Sequence, residues 1–206
     1  MIDATRFPRT ANYLAGLPRG MRSYPTALAK GSILRTALHG RAWRAEYAHA
    51  PTELRRLLES PPLAVAWIPE VHSVAAHHIV ADAEGMSDED VMRWMRDSFN
   101  RLASSTMYRA VAYLASPTLA LRTASLSWGL LHKGLPLTSQ VHRESRGRRT
   151  AELRVRHPAN LWVDLVHRSS AEGFKVVLES SGGMNVRVDV DQVDALGARY
   201  SCSWDE

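Results

Sequence analysis

Residues 149–190 constrain the chain most, because they hold two strand-like runs around one helical stretch. In Thr150-Ala151-Glu152-Leu153-Arg154-Val155-Arg156 the apolar Ala151, Leu153 and Val155 alternate with polar neighbours. That is the period-two pattern of a strand with one wet and one buried face. His157-Pro158 ends the run, since proline lacks the ladder donor and pushes the residue before it out of helical geometry. Beyond an apolar stretch at 161–166, Ser169-Ser170-Ala171-Glu172 has the form of a capping box. Phe174, Val177 and Leu178 then give the helix one apolar stripe, and Gly182-Gly183 supplies the left-handed residue that closes helices. Val186, Val188 and Val190 alternate with Arg187 and Asp189 in a second strand. After a turn at Gly197, a last strand puts Ala198, Tyr200, Cys202 and Trp204 on one face.

Upstream the period is helical. Gly31-Ser32 opens a helix carrying Ile33, Leu34, Ala37 and Leu38, and Pro51 starts another with Leu54, Leu57 and Leu58 on one face. The stretch after Pro69 reads as a buried helix to Glu84, and Ser87-Asp88-Glu89-Asp90 is a capping box whose acids suit a helix N-terminus. A shorter helix is expected at 107–114, and Ser116-Pro117 caps one that runs toward Gly134. Leu135, Leu137 and Val141 turn to the strand period. Helices first and strands afterwards make an α+β protein: N-terminal helices packed on a C-terminal four-stranded, mainly antiparallel sheet. Residues 1–22, with two prolines and two glycines, read as an irregular leader with one turn of helix around Ala11 to Leu14, and 23–206 as a single domain with a helical part at 31–134 and a sheet part at 135–204.

Composition narrows the class. With 45% hydrophobic and 23% charged residues the chain has ordinary globular composition. The longest apolar run, at 61–69, is far too short to cross a bilayer, and the amino terminus has no apolar signal-like stretch. A single cysteine, Cys202, leaves no internal disulfide and no zinc ribbon, so a reducing cytoplasm is the expected setting. Net charge of +5 comes almost wholly from arginine, which fits a solvated surface as well as a phosphate footprint.

The order of these motifs resembles an uncharacterised myxobacterial family of paralogous domains. The resemblance runs through Lys30-Gly31-Ser32-Ile33-Leu34-Arg35, Ser116-Pro117-Thr118-Leu119-Ala120-Leu121-Arg122 and the closing strand, helix, strand and aromatic strand. More distantly, the arrangement is similar to the heme-nitric-oxide-binding and four-vinyl-reductase-like sensor domains. That resemblance implies a small-ligand site between helices and an antiparallel sheet. Heme binders of that kind carry Tyr-x-Ser-x-Arg near the strand before the last helical segment. Here the corresponding residues are Leu153-Arg154-Val155-Arg156-His157, so no cofactor is carried over.

Three groups of residues are candidates for function. Trp67, Trp94 and Trp128, among six tryptophans, are candidates for lining an apolar pocket together with His72 and His78. His72, His77, His78, Glu70 and Asp82 are the densest set of potential ligands; His78 and Asp82 stand four apart on one helix face. Hydrogen-bonded structural histidines explain the set more simply, and no metal site is assigned. Arg146, Arg148, Arg149, Arg154 and Arg156 crowd one hairpin as a candidate phosphate surface, for which Arg-Glu pairing on a wet face is the competing account. No Gly-x-Ser-x-Gly, phosphate-loop or His-Glu-x-x-His motif occurs. The sequence therefore leans away from an enzyme. It points to a regulatory or sensory module that binds a protein partner or a small apolar ligand, with arginine-mediated nucleic-acid binding as the alternative.

Overall fold

The computed structural model describes residues 2–106, 108–109, 116–143 and 148–205. The helix expected at 107–114 and the hairpin tip that includes Arg146 lie mostly or wholly outside them. The fold is α+β, and the C-terminal sheet is four-stranded and antiparallel, as the sequence pattern requires. Its strands are β4 (Leu137–Arg143), β5 (Arg148–Arg156), β6 (Met184–Asp194) and β7 (Gly197–Asp205), in the order β4-β5-β7-β6. Ala151, Leu153 and Val155 are buried, as are Ala198, Tyr200, Cys202 and Trp204 opposite them. One sheet face therefore forms the core floor and the other faces solvent.

A second sheet was not legible in the sequence. β1 (Leu28–Lys30) pairs with β2 (Trp67–Pro69) on one side and with β3 (His132–Lys133) on the other. Strands of two or three residues are too short to show a period, and only their pairing makes them visible.

Above the large sheet lie α2 (Gly31–Ala37), α3 (Thr52–Glu59), α4 (Glu70–Ala83), α5 (Asp88–Ser104), α6 (Pro117–Arg122) and α7 (Ala124–Gly129). α4 is buried nearly all round, from Val71 to Ala81, and is the central helix. α5 begins with the expected capping box: the Ser87 hydroxyl accepts from the Asp90 backbone, and the Asp90 carboxyl accepts from the Ser87 N–H. α5 packs on α8 (Asp164–Ser180), and Arg96 forks between Glu172 and Glu179 at 2.8 and 2.7 Å to fasten the two.

Two expectations are corrected. The turn of helix expected around Ala11 to Leu14 is part of a longer helix, α1 (Pro8–Ala15), which packs on α4 and buries Phe7 and Tyr13. Its helix start is completed by tertiary contact, because the Asp82 carboxyl accepts from the N–H groups of Arg9 and Thr10 and from the Thr10 hydroxyl. No local cap announces it. Ser169, in turn, is not a cap. α8 already starts at Asp164, and both Ser169 and Ser170 turn their hydroxyls back onto the Val166 carbonyl. The apolar stretch before Ser169 continues into the helix, so the capping-box pattern falls mid-helix. Val176 and Leu178 are the buried members of its stripe, while Val177 is 39% exposed.

Gly31 opens α2 at a close approach. A side chain there would place its first carbon 2.4 Å from the Leu63 carbonyl oxygen, and the Gly31 N–H donates to Ala66 at 2.8 Å. Gly31→Ala is expected to destabilise the protein by about 1–3 kcal/mol, read as a lower urea midpoint with an unchanged slope.

Candidate functional site

Between α4 and α5 on one side and β4, β5 and α8 on the other lies a cavity of about 200 Å³. Its wall is mostly apolar, with Val74, Met95, Leu121, Leu137, Leu153, Val166 and Phe174 contributing. An aromatic cluster forms one end. Trp128 stacks on His132 with ring centroids 4.2 Å apart, meets Trp162 edge-on at 5.8 Å and lies 5.7 Å from Phe174. The Trp128 indole donates to the Leu135 carbonyl at 2.7 Å, which pins the ring to the start of β4.

Beneath this cluster Glu70, the first residue of α4, is buried. It accepts from the Trp162 indole at 2.9 Å, and its other oxygen lies 3.1 Å from His132 Nδ1. Next to it runs a second polar chain whose proton positions follow from its partners. His157 Nδ1 lies 2.8 Å from the Pro158 carbonyl, which only accepts, so that nitrogen carries the proton. Burial depresses the pKa of both His157 and His167, the latter to about 3, so both rings are neutral. His157 Nε2 is then the acceptor in its 3.0 Å contact with His167 Nε2, and His167 Nδ1 accepts from the Tyr200 hydroxyl at 2.9 Å. This chain ties β7, α8 and the end of β5 together with every tautomer determined.

The α4 wall carries two further histidines. His77 Nδ1 sits 2.7 Å from the Ser73 carbonyl, one turn back on the same helix, while its Nε2 is shut off from solvent without a hydrogen-bond partner. His78 packs edge-on against Tyr13 with ring centroids 5.3 Å apart, and burial, aided by the neighbouring His77, pushes its pKa down to about 4, an effect that its hydrogen bond to the Arg9 backbone only partly offsets.

The candidate residues separate accordingly. Trp128 and His78 are on the cavity wall, with His77 beside them. Trp94 stands behind His77, its ring centroid 5.6 Å away, its indole donating to Ala37 and the Arg41 guanidinium lying over its face. Trp67 is elsewhere: its position in β2 places its ring beneath the ammonium groups of Lys30 and Lys133 on the small sheet. His72 points away from the cavity, with Nε2 on the Met21 carbonyl. His78 and Asp82 do not act together, because Asp82 is occupied at the start of α1. Among the described residues no three His, Cys, Asp or Glu side chains gather as a metal-ligand set. On the wet sheet face Arg154 pairs with Glu152 two residues back on its own strand, Arg148 donates to Ser203, and Arg199 meets Asp191. Arg156 is exposed and Arg149 half-buried, and acids of β6 share the sheet's outer face. His132 and Trp162 on the cavity wall, and His157 and His167 behind it, are residues that sequence reasoning did not bring together with Glu70. Glu70 had been grouped only with the α4 histidines, and no spacing signal links residues of β3, α4 and α8.

Comparison with solved structures places this architecture. The Fe(II) unliganded H-NOX protein from K. algicida superposes with a TM-score of 0.55 at 11% identity, over 86% of this chain and 97% of that one. The fold is that of the H-NOX proteins. A Cs H-NOX mutant carrying 4-cyano-L-phenylalanine gives 0.54 at 10% identity over 85% of this chain and 95% of that one. A protein described as modulating heme redox potential through porphyrin distortion gives 0.54 at 8% identity, over 85% and 97% of the two chains. No protein-family model and no curated protein matches the sequence.

An H-NOX fold raises the question of heme, and the described residues do not fit one. Nitrogen donors suited to iron are present in His77 and His132. The cavity of about 200 Å³, however, is below the roughly 300–1,000 Å³ of pockets that take even drug-sized ligands. Among the described residues no arginine or lysine lines it to meet two propionates, and the Tyr-x-Ser-x-Arg pattern is absent.

Two predictions follow from the buried rings. His78 and His167 titrate near 4 and 3 in the folded protein and near 6.5 when unfolded. As pH falls below about 6.5 the unfolded chain binds protons that the folded one refuses, so stability falls progressively down to the folded pKa values. Denaturant midpoints measured between pH 7.5 and 4 should decline, with no such loss between pH 7 and 8.5. Tyr200→Phe leaves the His167 Nδ1 acceptor unmatched and should cost about 1–3 kcal/mol in the same assay.

Proposed function

We propose that this chain is a sensory or regulatory domain that holds a small apolar molecule in the cavity between its helices and its sheet. The observation that carries this reading is the cavity itself: about 200 Å³, apolar, and closed at one end by Trp128, Phe174, Trp162 and His132. A well-packed core leaves few voids larger than a water molecule. An apolar cavity of about 150 Å³ stays dry and takes up benzene, so one of this size suits a one- or two-ring ligand. The fold supports the same reading, since the solved structures it resembles include an H-NOX protein and one described by the modulation of a heme's redox potential. Here the ligand would be smaller than a porphyrin.

A protein partner that reads the occupancy of the cavity is part of this proposal. No described helix is long and apolar enough to cross a membrane. A nucleic-acid surface has less support, because Arg148 and Arg154 have partners within the sheet and acids alternate with arginines there.

Benzene- to indene-sized probes should raise the melting temperature of the purified protein in a saturable way. Val74→Phe, which directs a ring into the cavity from α4, should fold and lose that response. If no apolar probe shifts the wild-type transition, the cavity is not a ligand site.

A further inference from the structure

The small sheet is a single layer between the cavity and a solvent-facing surface, and its strands turn alternate side chains to its two faces. Ala29 stands opposite Ile68 on one side and His132 on the other, so these three share the inner face. Ala29 and Ile68 are buried there, and His132 lines the cavity, stacked on Trp128. Lys30, Trp67 and Lys133 share the outer face: Lys30 is opposite Trp67 in register, and the ammonium groups of Lys30 and Lys133 lie 4.2 and 4.4 Å from the indole centroid. Neither lysine meets a carboxylate among the described residues. Beside them the turn at 62–66 is held against the start of α2, where Gly31 donates to the Ala66 carbonyl and Ser32 to that of Ala64. This turn leaves Leu63 71% and Val65 60% exposed. Two cations without counter-charges, a half-buried tryptophan and two exposed aliphatic side chains therefore lie together at one surface.

We infer that this outer face is the docking surface for an acidic segment of a protein partner, one whose carboxylates alternate with apolar side chains. The inference rests on the proposed reading in which a partner reports the state of the cavity, and it names the surface and the partner's chemistry. Lys30 and Lys133 receive the carboxylates, and Trp67, Leu63 and Val65 cover the apolar side chains between them; tryptophan is enriched among the residues that dominate interface energy. Charge and apolar surface together decide against other occupants. A basic partner is repelled by two ammonium groups that have no counter-charge. The phosphates of a nucleic acid match the ammonium groups but leave Leu63 and Val65 in water. Anionic membranes are read by clusters of about four to eight basic residues, whereas this sheet face carries two lysines. Position suits a readout as well, because His132 and Lys133 are consecutive in β3, one on the cavity wall and the next on the docking face.

The probe is a fluorophore-labelled peptide alternating glutamate with valine, titrated with the full chain and followed by anisotropy, with glutamate–serine and lysine–valine peptides as controls. The glutamate–valine peptide is expected to bind, the glutamate–serine peptide more weakly and the lysine–valine peptide not at all. Combining Lys30→Glu with Lys133→Glu should weaken binding about tenfold, since one exposed ion pair is worth up to about fivefold. Lys133→Glu alone, at an exposed position, should weaken it about threefold and serves where the double variant does not fold. Lys175→Glu on α8 makes the same change in net charge and should leave binding as in the wild type. Equal effects of Lys133→Glu and Lys175→Glu, equal affinity for the two glutamate peptides, or no peptide binding overturns the docking surface. So does retention on phosphatidylserine vesicles in place of peptide binding, which makes the face a membrane contact. Any of these results leaves the cavity reading standing as long as benzene still raises the melting temperature, and peptide binding without a benzene response keeps the docking surface and overturns the cavity instead.

Discussion

The buried carboxyl of Glu70 is the contact on which the arrangement of the two halves depends. It begins α4, the central helix, and its backbone N–H donates to Ala27 beside β1. Its two oxygens meet Trp162, from the loop that leads into α8, and His132 on β3. One residue thus joins the helical half, the small sheet and the approach to the large sheet. A polar group is costly to bury unless its hydrogen-bonding capacity is met, so Trp162 and His132 are held in place as much as they hold Glu70. The helix N-terminus adds favourable partial charge at this end of α4. Trp128 then stacks on a His132 whose orientation is already determined, and the end wall of the cavity follows from that stack.

The same rule operates on the other side of Trp162. His157, His167 and Tyr200 form a chain in which each donor has one acceptor, ending on the Pro158 carbonyl. Such a chain specifies geometry sharply, since a wrong tautomer at any point leaves an unmatched group. Burial keeps its imidazoles neutral, and the chain anchors α8 to the sheet. His77 and His78 stand in contrast on the α4 side, His78 buried and His77 half-buried, and His77 Nε2 has no hydrogen-bond partner. The molecule therefore combines a fully satisfied polar chain on one side of the cavity with enclosed imidazoles on the other.

Much of the fold is readable in the sequence where local rules decide. The alternation at 151–155 and 198–204 marks strands whose buried faces are as expected, and the Ser87 capping box is present in the structure. Local rules mislead where a tertiary partner replaces a local one. α1 takes its cap from Asp82, more than seventy residues away, and Ser169 has cap chemistry but lies inside a helix whose start is set by Asp164. The tryptophans divide for the same reason: Trp128 reaches the cavity and Trp67 lies under two lysines, although as sequence neighbours of apolar residues they look alike.

By itself the sequence determined the class, α+β, the four C-terminal strands and the positions of most helices, because hydrophobic period, capping chemistry and glycine placement act over a few residues. Only the tertiary structure decided that β1, β2 and β3 form a sheet, that Glu70 meets Trp162 and His132, and that a cavity remains above β5 with His77 on its wall. Those features depend on which side chains from distant segments come within hydrogen-bonding or packing distance, and no local period encodes that distance.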